Sequence, residues 1–519
     1  MGDGIVVIGL DAANPDLVES WAREGHLPVI ASLLETGAWG RLSSPAKVSS
    51  GPAWPSFFSG TQPGSQGRFF THQLETGTYR LETKSAKEID ATPFWVHAGR
   101  TGRTVAIVDV PKTWPRIDVN GVQVIGWGVH GPAWSRSSSP PALIKTLVRR
   151  FGAHPIPNCD EARLKTTDDH AAFRDGLTEG VKRKTAISEH LLGLEDWDLF
   201  VTVFKEPHCA GHRLWHVMDR DHPGHGAGLA ETLGNPVLDV YRAVDEAVGQ
   251  LVEAAGAATV VLFSPYGMGP AYGGSHLLPD VLRRLGFAGS GADDGTARVR
   301  RRSRVRDSVL ERAPLGLIRL VRRVVPPGWW DEISCRRLAS GKEWSRSRAF
   351  CVPGDHTGAI RINLAGREPE GIVEAGSQYD ALCEELEDEL RALVNPDTGK
   401  PAVRDVSRPH RLYHGKHLAD FPDLTVRWTG DAPIRTLISP RIGKVEGTDT
   451  SRRTGEHWPE GFVLARGPGV AAGATVTAEE ACVMDVAPTI LELLGVAAPA
   501  EMEGRALREL LRTAPQVAL

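Results

Sequence analysis

The segment KEPHCAGHRLWH, residues 205–216, carries a histidine at every fourth position: His208, His212 and His216. Residues four apart stack one turn above another on an α-helix, so a helical segment presents all three imidazoles on one face. An i, i+4 pair can reach a single ion from that face, and neutral imidazole is the commonest protein ligand of zinc and related metals. A lone histidine is ordinarily a surface or satisfied core residue. The spacing therefore poses a question of metal chemistry that the rest of the chain must answer.

Such a face needs a rigid frame, and the chain is patterned for one. The run IVVIGL (5–10) is followed by Asn14-Pro15, a good N-cap and first-turn pair, and then by an amphipathic stretch to Leu34. Further strand candidates are TVAIVDV (104–110), VQVIGW (122–127), LFVTVF (199–204), TVVLFS (259–264), DLTVRW (423–428) and GFVLAR (461–466). Near-continuous apolar runs suit strands buried on both faces, and their alternation with helical patterns predicts an α/β fold with a central, mostly parallel sheet flanked by helices. Ligands of such sheets gather beyond the carboxyl ends of the strands. Asp11, His208 and Pro265-Tyr266 all fall there.

The length of 519 residues exceeds what one small core organises and fits one large α/β domain with an insertion, or two domains. Sixty basic against 64 acidic residues leave a net charge of −4, which gives no global pull toward nucleic acid or membrane. No apolar stretch is long enough to span a bilayer. The N-terminal apolar run ends at Asp11 without a basic n-region or a small-residue cleavage site, so it reads as a strand rather than a signal peptide. Six cysteines (159, 209, 335, 351, 383, 482) form no CxxC pair, which suits a reducing cytoplasm. After about Gly286 the alternation stops. A flexible, then strongly basic stretch, GSGADDGTARVRRRSRVRD, precedes LGLIRLVRRVVPPGWW; it reads as a solvated, Arg-rich helical insertion kept short by Pro314 and Pro326-Pro327. A smaller α/β region follows, with a helix at YDALCEELEDELRALV, and DVAPTILELLGVAAP near the C-terminus reads as one packed helix. The expected division is a core over 1–290 and 413–519, interrupted by an insertion or cap region over 291–412. No internal repeat is present.

Four separated motifs together resemble the type I phosphodiesterase/nucleotide pyrophosphatase branch of the alkaline phosphatase superfamily. In GLDAANPDLVESWAREGHLPVIASLLETGAWGRL, Asp11 matches the family's first metal-binding aspartate. SSGPAWPSFFSGTQPGSQG is similar to the nucleophile segment, with Ser50 in the place of the nucleophilic Thr or Ser and Ser49 as its competitor. EPHCAGH is similar to the Asp-x-x-x-His pair, and in RTGEHWPEGFVLARGPGV His457 matches the last metal histidine. Two departures stand out. His208 replaces the usual aspartate, and SPYGMG replaces a Ser-Asp-His-Gly-Met segment, so Pro265 and Tyr266 stand where two ligands of a second metal belong. Proline has no side-chain donor, and a neutral tyrosine is a poor ligand.

The resemblance thus implies one intact, all-histidine site made by His208, His212 and His457, with zinc as its expected metal, and a second site, at Asp11, that would hold a metal weakly. His216 matches no family ligand and is assigned to packing or support. Lys47 or Lys112 would supply the positive charge that a missing second metal leaves uncompensated near Ser50, and Tyr266 and His356 are supporting candidates. His276 and Asp355-His356 have no spacing that ties them to the site, and Asp245 is explained by its helical face. The first expectation is a metal-dependent hydrolase of small phosphate (di)esters or sulfate esters acting through a covalent seryl intermediate. The alternatives are a phospho- or sulfo-group transferase using the same serine, and a degenerate member that binds a ligand without catalysis.

Overall fold

Side chains alternate between the two faces of a strand, so a strand covered on both sides must be apolar throughout. The computed structural model of the chain places the predicted runs in that setting. The described residues are 2, 4–116, 118–128, 136–289, 335, 344–354, 356–449 and 451–512. They divide into two compact units, one made of Met1–Gln66, Ala86–Ala271 and Thr450–Leu519, the other of Gly67–Ser85 and Tyr272–Asp449. The second unit is thus wider than the 291–412 insertion read from composition, and it includes a short early segment. The Arg-rich stretch, with Pro314 and Pro326-Pro327, lies outside the described residues, as does Asp355.

The first unit is built on nine strands: β1 (Ile5–Leu10), β2 (Ala38–Ser43), β3 (Val105–Val108), β4 (Gly121–Ile125), β5 (Ser137–Ser139), β6 (Leu199–Phe204), β7 (Thr259–Ser264), β8 (Glu460–Arg466) and β9 (Thr475–Val476). Their order across the sheet is β9-β2-β8-β7-β1-β6-β3-β4-β5. The five strands from β7 to β4 pair in parallel. β8 runs antiparallel to both of its neighbours, and β5 runs antiparallel to β4. Alternate residues of the same strand enter different cores. Val6, Ile8 and Leu10 join one cluster, with Phe200, Phe204, Val260 and Leu262. Ile5 and Val7 join the other, with Leu199, Val201, Val203, Val261 and Phe263.

Helices α1 (Pro15–Arg23), α2 (Pro28–Thr36), α4 (Thr167–Leu192), α5 (Glu206–Met218) and α6 (Pro236–Ala255) cover the first cluster, and α3 (Ala53–Ser59) and α7 (Val486–Leu493) cover the second. The amphipathic stretch to Leu34 is two helices. Asn14 caps α1 by accepting from the Leu17 N–H, and α2 restarts at Pro28. The capping residue of α2, Leu27, makes no side-chain capping hydrogen bond. Instead the Asp245 carboxylate, from α6, accepts from the N–H groups of Val29 and Ile30 at 3.1 and 2.8 Å, which gives Asp245 a structural role.

In the second unit, the predicted strand at 423–428 is Leu424–Trp428, in a four-stranded antiparallel sheet with Ala349–Val352, Gly358–Ile362 and Val403–Ser407. It does not join the parallel sheet. The helix Ser377–Arg391 buries Leu382, Leu386 and Leu390 in that unit's own core. Among the described residues no helix is long and apolar enough to cross a membrane.

Candidate active site

α5 starts directly after β6, so the first turn of the histidine helix sits at the carboxyl edge of the sheet. Its start is anchored by a fully buried pair in which the His154 Nε2 and a Glu206 Oε1 are 2.7 Å apart. The Ile156 N–H donates to His154 Nδ1, so the imidazole carries its proton on Nε2 and gives it to the carboxylate. Burial holds His154 below its usual range. Burial alone would raise Glu206, but the hydrogen bond from His154 and the nearby lysine charges outweigh it and hold the carboxyl low. Lys205 Nζ donates to the carbonyl of Ile156 at 2.6 Å.

His212 is fully buried and His208 nearly so. The third imidazole arrives on a two-stranded antiparallel ribbon of Gly267–Pro270 with Gly455–Trp458, in which Met268 lies opposite His457. Two glycines let the helix and ribbon touch. A Cβ on Gly455 would lie 2.4 Å from the Gly211 carbonyl oxygen, and one on Gly211 would lie 2.4 Å from Met268 Cγ. Across this contact the Thr454 N–H donates to the His212 carbonyl at 2.7 Å, and His212 Nδ1 donates to the Gly455 carbonyl at 2.7 Å.

With its Nδ1 proton committed, His212 turns the lone pair of Nε2 inward. There His457 Nε2 lies 3.1 Å from His212 Nε2 and 3.0 Å from His208 Nε2. Three ring nitrogens from two elements facing one point form the ligand pattern of a tri-histidine metal centre, and a carbonyl fixing the far nitrogen of one ligand is its usual support. Burial, then the charge of Arg453, holds His212 well below the ordinary histidine value, in the neutral form that a metal requires. His208 is pulled both ways. Burial lowers it, the Asp11 carboxylate and Cys209 raise it, and the net direction is up.

Ser50 stands in the turn before α3, is 7% exposed, and places its Oγ 2.8 Å from His457 Nδ1. His457 thus joins the imidazole cluster through one nitrogen and the serine hydroxyl through the other. Ser49 is fully buried and accepts from the Gly51 N–H, a local turn contact.

Asp11 follows β1 and is buried. Its Oδ1 accepts two hydrogen bonds, from Trp54 Nε1 and from the Tyr266 hydroxyl, each at 2.8 Å. Tyr266 also packs its ring edge against His457, with centroids 4.9 Å apart. Asp11 Oδ1 thus serves two donors, Pro265 has no side-chain ligand atom, and the Tyr266 phenol acts as a donor, so this place lacks the two further ligands of the family pattern.

Of the other sequence candidates, Lys47 is exposed in the turn Pro45–Lys47, and Lys112 is half-buried with a φ of 62°. His276 and His356 belong to the second unit. Sequence reasoning missed Trp54 as a partner of Asp11, although it lies inside the nucleophile motif. It also missed Arg453, whose guanidinium meets the Asp160 carboxylate at 3.2 Å and Glu456 at 3.5 Å. The Trp54–Asp11 and Arg453–Asp160 contacts have no signal in local spacing, because each joins residues distant in the chain.

The family model described as type I phosphodiesterase / nucleotide pyrophosphatase matches residues 5–326. Among solved structures, phosphonoacetate hydrolase from Sinorhizobium meliloti 1021 in complex with phosphonoformate aligns with a TM-score of 0.51 at 12% identity, covering 96% of each chain. The same enzyme with phosphonoacetate gives a TM-score of 0.48 at 12% identity and the same coverage. At this identity the first likeness is one of fold: an α/β molecule with a large, mostly parallel sheet flanked by helices. A search of curated protein sequences finds no match.

Proposed function

We propose a mechanism for a chain that belongs to the type I phosphodiesterase/nucleotide pyrophosphatase family and is therefore a phosphoester hydrolase of the alkaline phosphatase superfamily: Ser50 is its nucleophile, and it works beside a single tri-histidine metal site. The observation that carries this reading is His457, which is 2.8 Å from Ser50 Oγ through Nδ1 and about 3 Å from both other imidazoles through Nε2. With its Nε2 lone pair turned toward the cluster, His457 holds its proton on Nδ1 and donates it to Ser50 Oγ, favouring the alkoxide over the hydroxyl.

A zinc ion held by His208, His212 and His457 would supply electrophilic stabilisation of the charge developing on the non-bridging oxygens and would lower the pKa of a water. Ser50 Oγ forms a bond to phosphorus or sulfur while the bond to the ester oxygen breaks, and the serine's proton balances the one that the departing alcohol gains. Water then cleaves the seryl ester, restoring the serine and releasing a phosphate monoester from a diester substrate, or sulfate from a sulfate ester. Asp11, kept by Trp54 and Tyr266, serves as a fixed acceptor at the end of β1. With one cation where the family uses two, the site neutralises less charge, which favours phosphate diesters and sulfate esters over phosphate monoesters.

The test is turnover of p-nitrophenyl-type diester, sulfate and monoester substrates by wild type, Ser50→Ala and Ser49→Ala. The expected result is diester or sulfate turnover above monoester turnover. Loss of a nucleophile that acts in concert with its partners should cost on the order of 10³-fold or more in Ser50→Ala, while Ser49→Ala stays within about tenfold. Undiminished turnover in Ser50→Ala would overturn the assignment.

A further inference from the structure

The chain around residues 154–162 is tied to α5 by side chains at the start of that helix and along it. Lys205 Nζ donates to the carbonyls of Ile156 and Pro157 at 2.6 and 3.3 Å, Glu206 holds His154, and Arg213 donates to the carbonyl of Ala162 at 2.7 Å. Arg453, just before the ribbon strand that bears His457, reaches Asp160 at 3.2 Å. Between these ties lies the single turn Cys159–Glu161, which Asn158 caps by accepting from the Asp160 N–H at 3.1 Å. Its first residue, Cys159, is fully buried, and so is Cys209, the neighbour of His208 on α5. Neither cysteine is in a disulfide.

A buried cysteine ordinarily serves as a small apolar side chain. This pair differs in its company, because ligand atoms of Cys159, Cys209 and His208 all lie within 4.8 Å of one another. A tetrahedral ion bonded to sulfur at about 2.3 Å holds its sulfurs about 3.8 Å apart, so shifts of about 1 Å bring the three side chains onto one cation. We infer that Cys159, Cys209 and His208 form a sulfur-rich metal site, different in its ligands from the His208/His212/His457 centre and suited to a thiophilic divalent cation such as cadmium or zinc. Two thiolates and one imidazole leave a tetrahedral ion one open position. Sulfur selects soft and borderline ions over magnesium and calcium, which take oxygen. On binding, each thiol gives its proton to solvent and the thiolate donates a lone pair to the cation. The two sulfur charges then balance the divalent charge, which matters in a buried place where an uncompensated charge is costly.

This site goes beyond the catalytic reading and shares one residue with it. A neutral imidazole has a single nitrogen lone pair for a metal, so His208 serves one set at a time. An ion seated among the sulfurs leaves His212 and His457 as a pair. The two sets are therefore alternatives, and a thiophilic ion opposes the tri-histidine centre.

The probe is cadmium(II) alone, titrated under reducing conditions into the full chain after stripping with a chelator, and read by sulfur-to-cadmium charge-transfer absorption in the ultraviolet. Wild type should develop this band and saturate at about one equivalent, and Cys159→Ala/Cys209→Ala should lose most of it. His212→Ala, which damages only the imidazole centre, should keep it. The inference is overturned if wild type shows no band, or if the double variant retains more than about half of it, which would assign the cadmium to other cysteines. Should the double variant not fold, Cys159→Ala alone should weaken cadmium binding by more than about tenfold, and an unchanged affinity would overturn the site. A band kept by a His212→Ala variant whose turnover is undiminished would sink the active-site reading and leave this one standing.

Discussion

A single carboxylate oxygen shows how this site departs from its relatives. Asp11 Oδ1 accepts from an indole and a phenol, both buried, in the region where the family pattern calls for a metal. Two neutral donors stabilise the carboxylate without adding a formal charge, so the total charge beside Ser50 is lower than a dinuclear site would give. Tyr266→Phe removes one of these donors and leaves the ring against His457. It should destabilise the fold by about 1 kcal/mol while leaving the zinc content unchanged, as thermal unfolding and elemental analysis together would read. A loss of metal in that variant would mean that the phenol, not the imidazole set, governs binding. The tyrosine and proline substitutions are visible in the sequence. That the tyrosine would turn its hydroxyl onto Asp11, with Trp54 beside it, is not, because the contact joins residues 255 positions apart.

At the level of elements, the site depends on how closely α5 approaches the ribbon. Gly455→Ala would drive a methyl into the Gly211 carbonyl, a backbone atom that cannot rotate away. Overpacking of this kind costs about 1–3 kcal/mol. The larger effect is expected in zinc affinity, measured by competition with a chromogenic chelator, because the shift separates His457 from His212; an unchanged affinity would show that the ribbon can move without the ligands. Several elements are legible in the chain itself: the i, i+4 histidines mark α5, and the all-apolar runs mark β1, β6 and β7. Other features are not. DLTVRW has the apolar run of a parallel strand and yet pairs antiparallel in another sheet, since burial on both faces does not encode strand direction. The amphipathic stretch to Leu34 is two helices, and α2 starts at Pro28, where proline at a first helical turn marks a new start more reliably than periodicity marks continuity. The paired glycines gave no sequence signal, because what each approaches lies in a distant segment.

For the whole molecule, the imidazole centre joins distant parts of one unit. His208 and His457 are 249 residues apart in sequence and 3.0 Å apart in space. A cation bound by all three rings therefore stabilises only the folded chain, by about 2.7 kcal/mol at a hundredfold excess over its dissociation constant. Chelation should lower the melting temperature of wild type and abolish turnover, and re-addition of zinc should restore both. His212→Ala should show little of either response at that centre, and a wild-type melting curve indifferent to chelator would count against a metal bridge. The placement of the last ligand has one more consequence. A polypeptide still emerging from the ribosome possesses Ser50, His208 and His212 long before His457 is made. Under the proposed mechanism, hydrolytic competence is withheld until the segment bearing His457 has been delivered and has folded back.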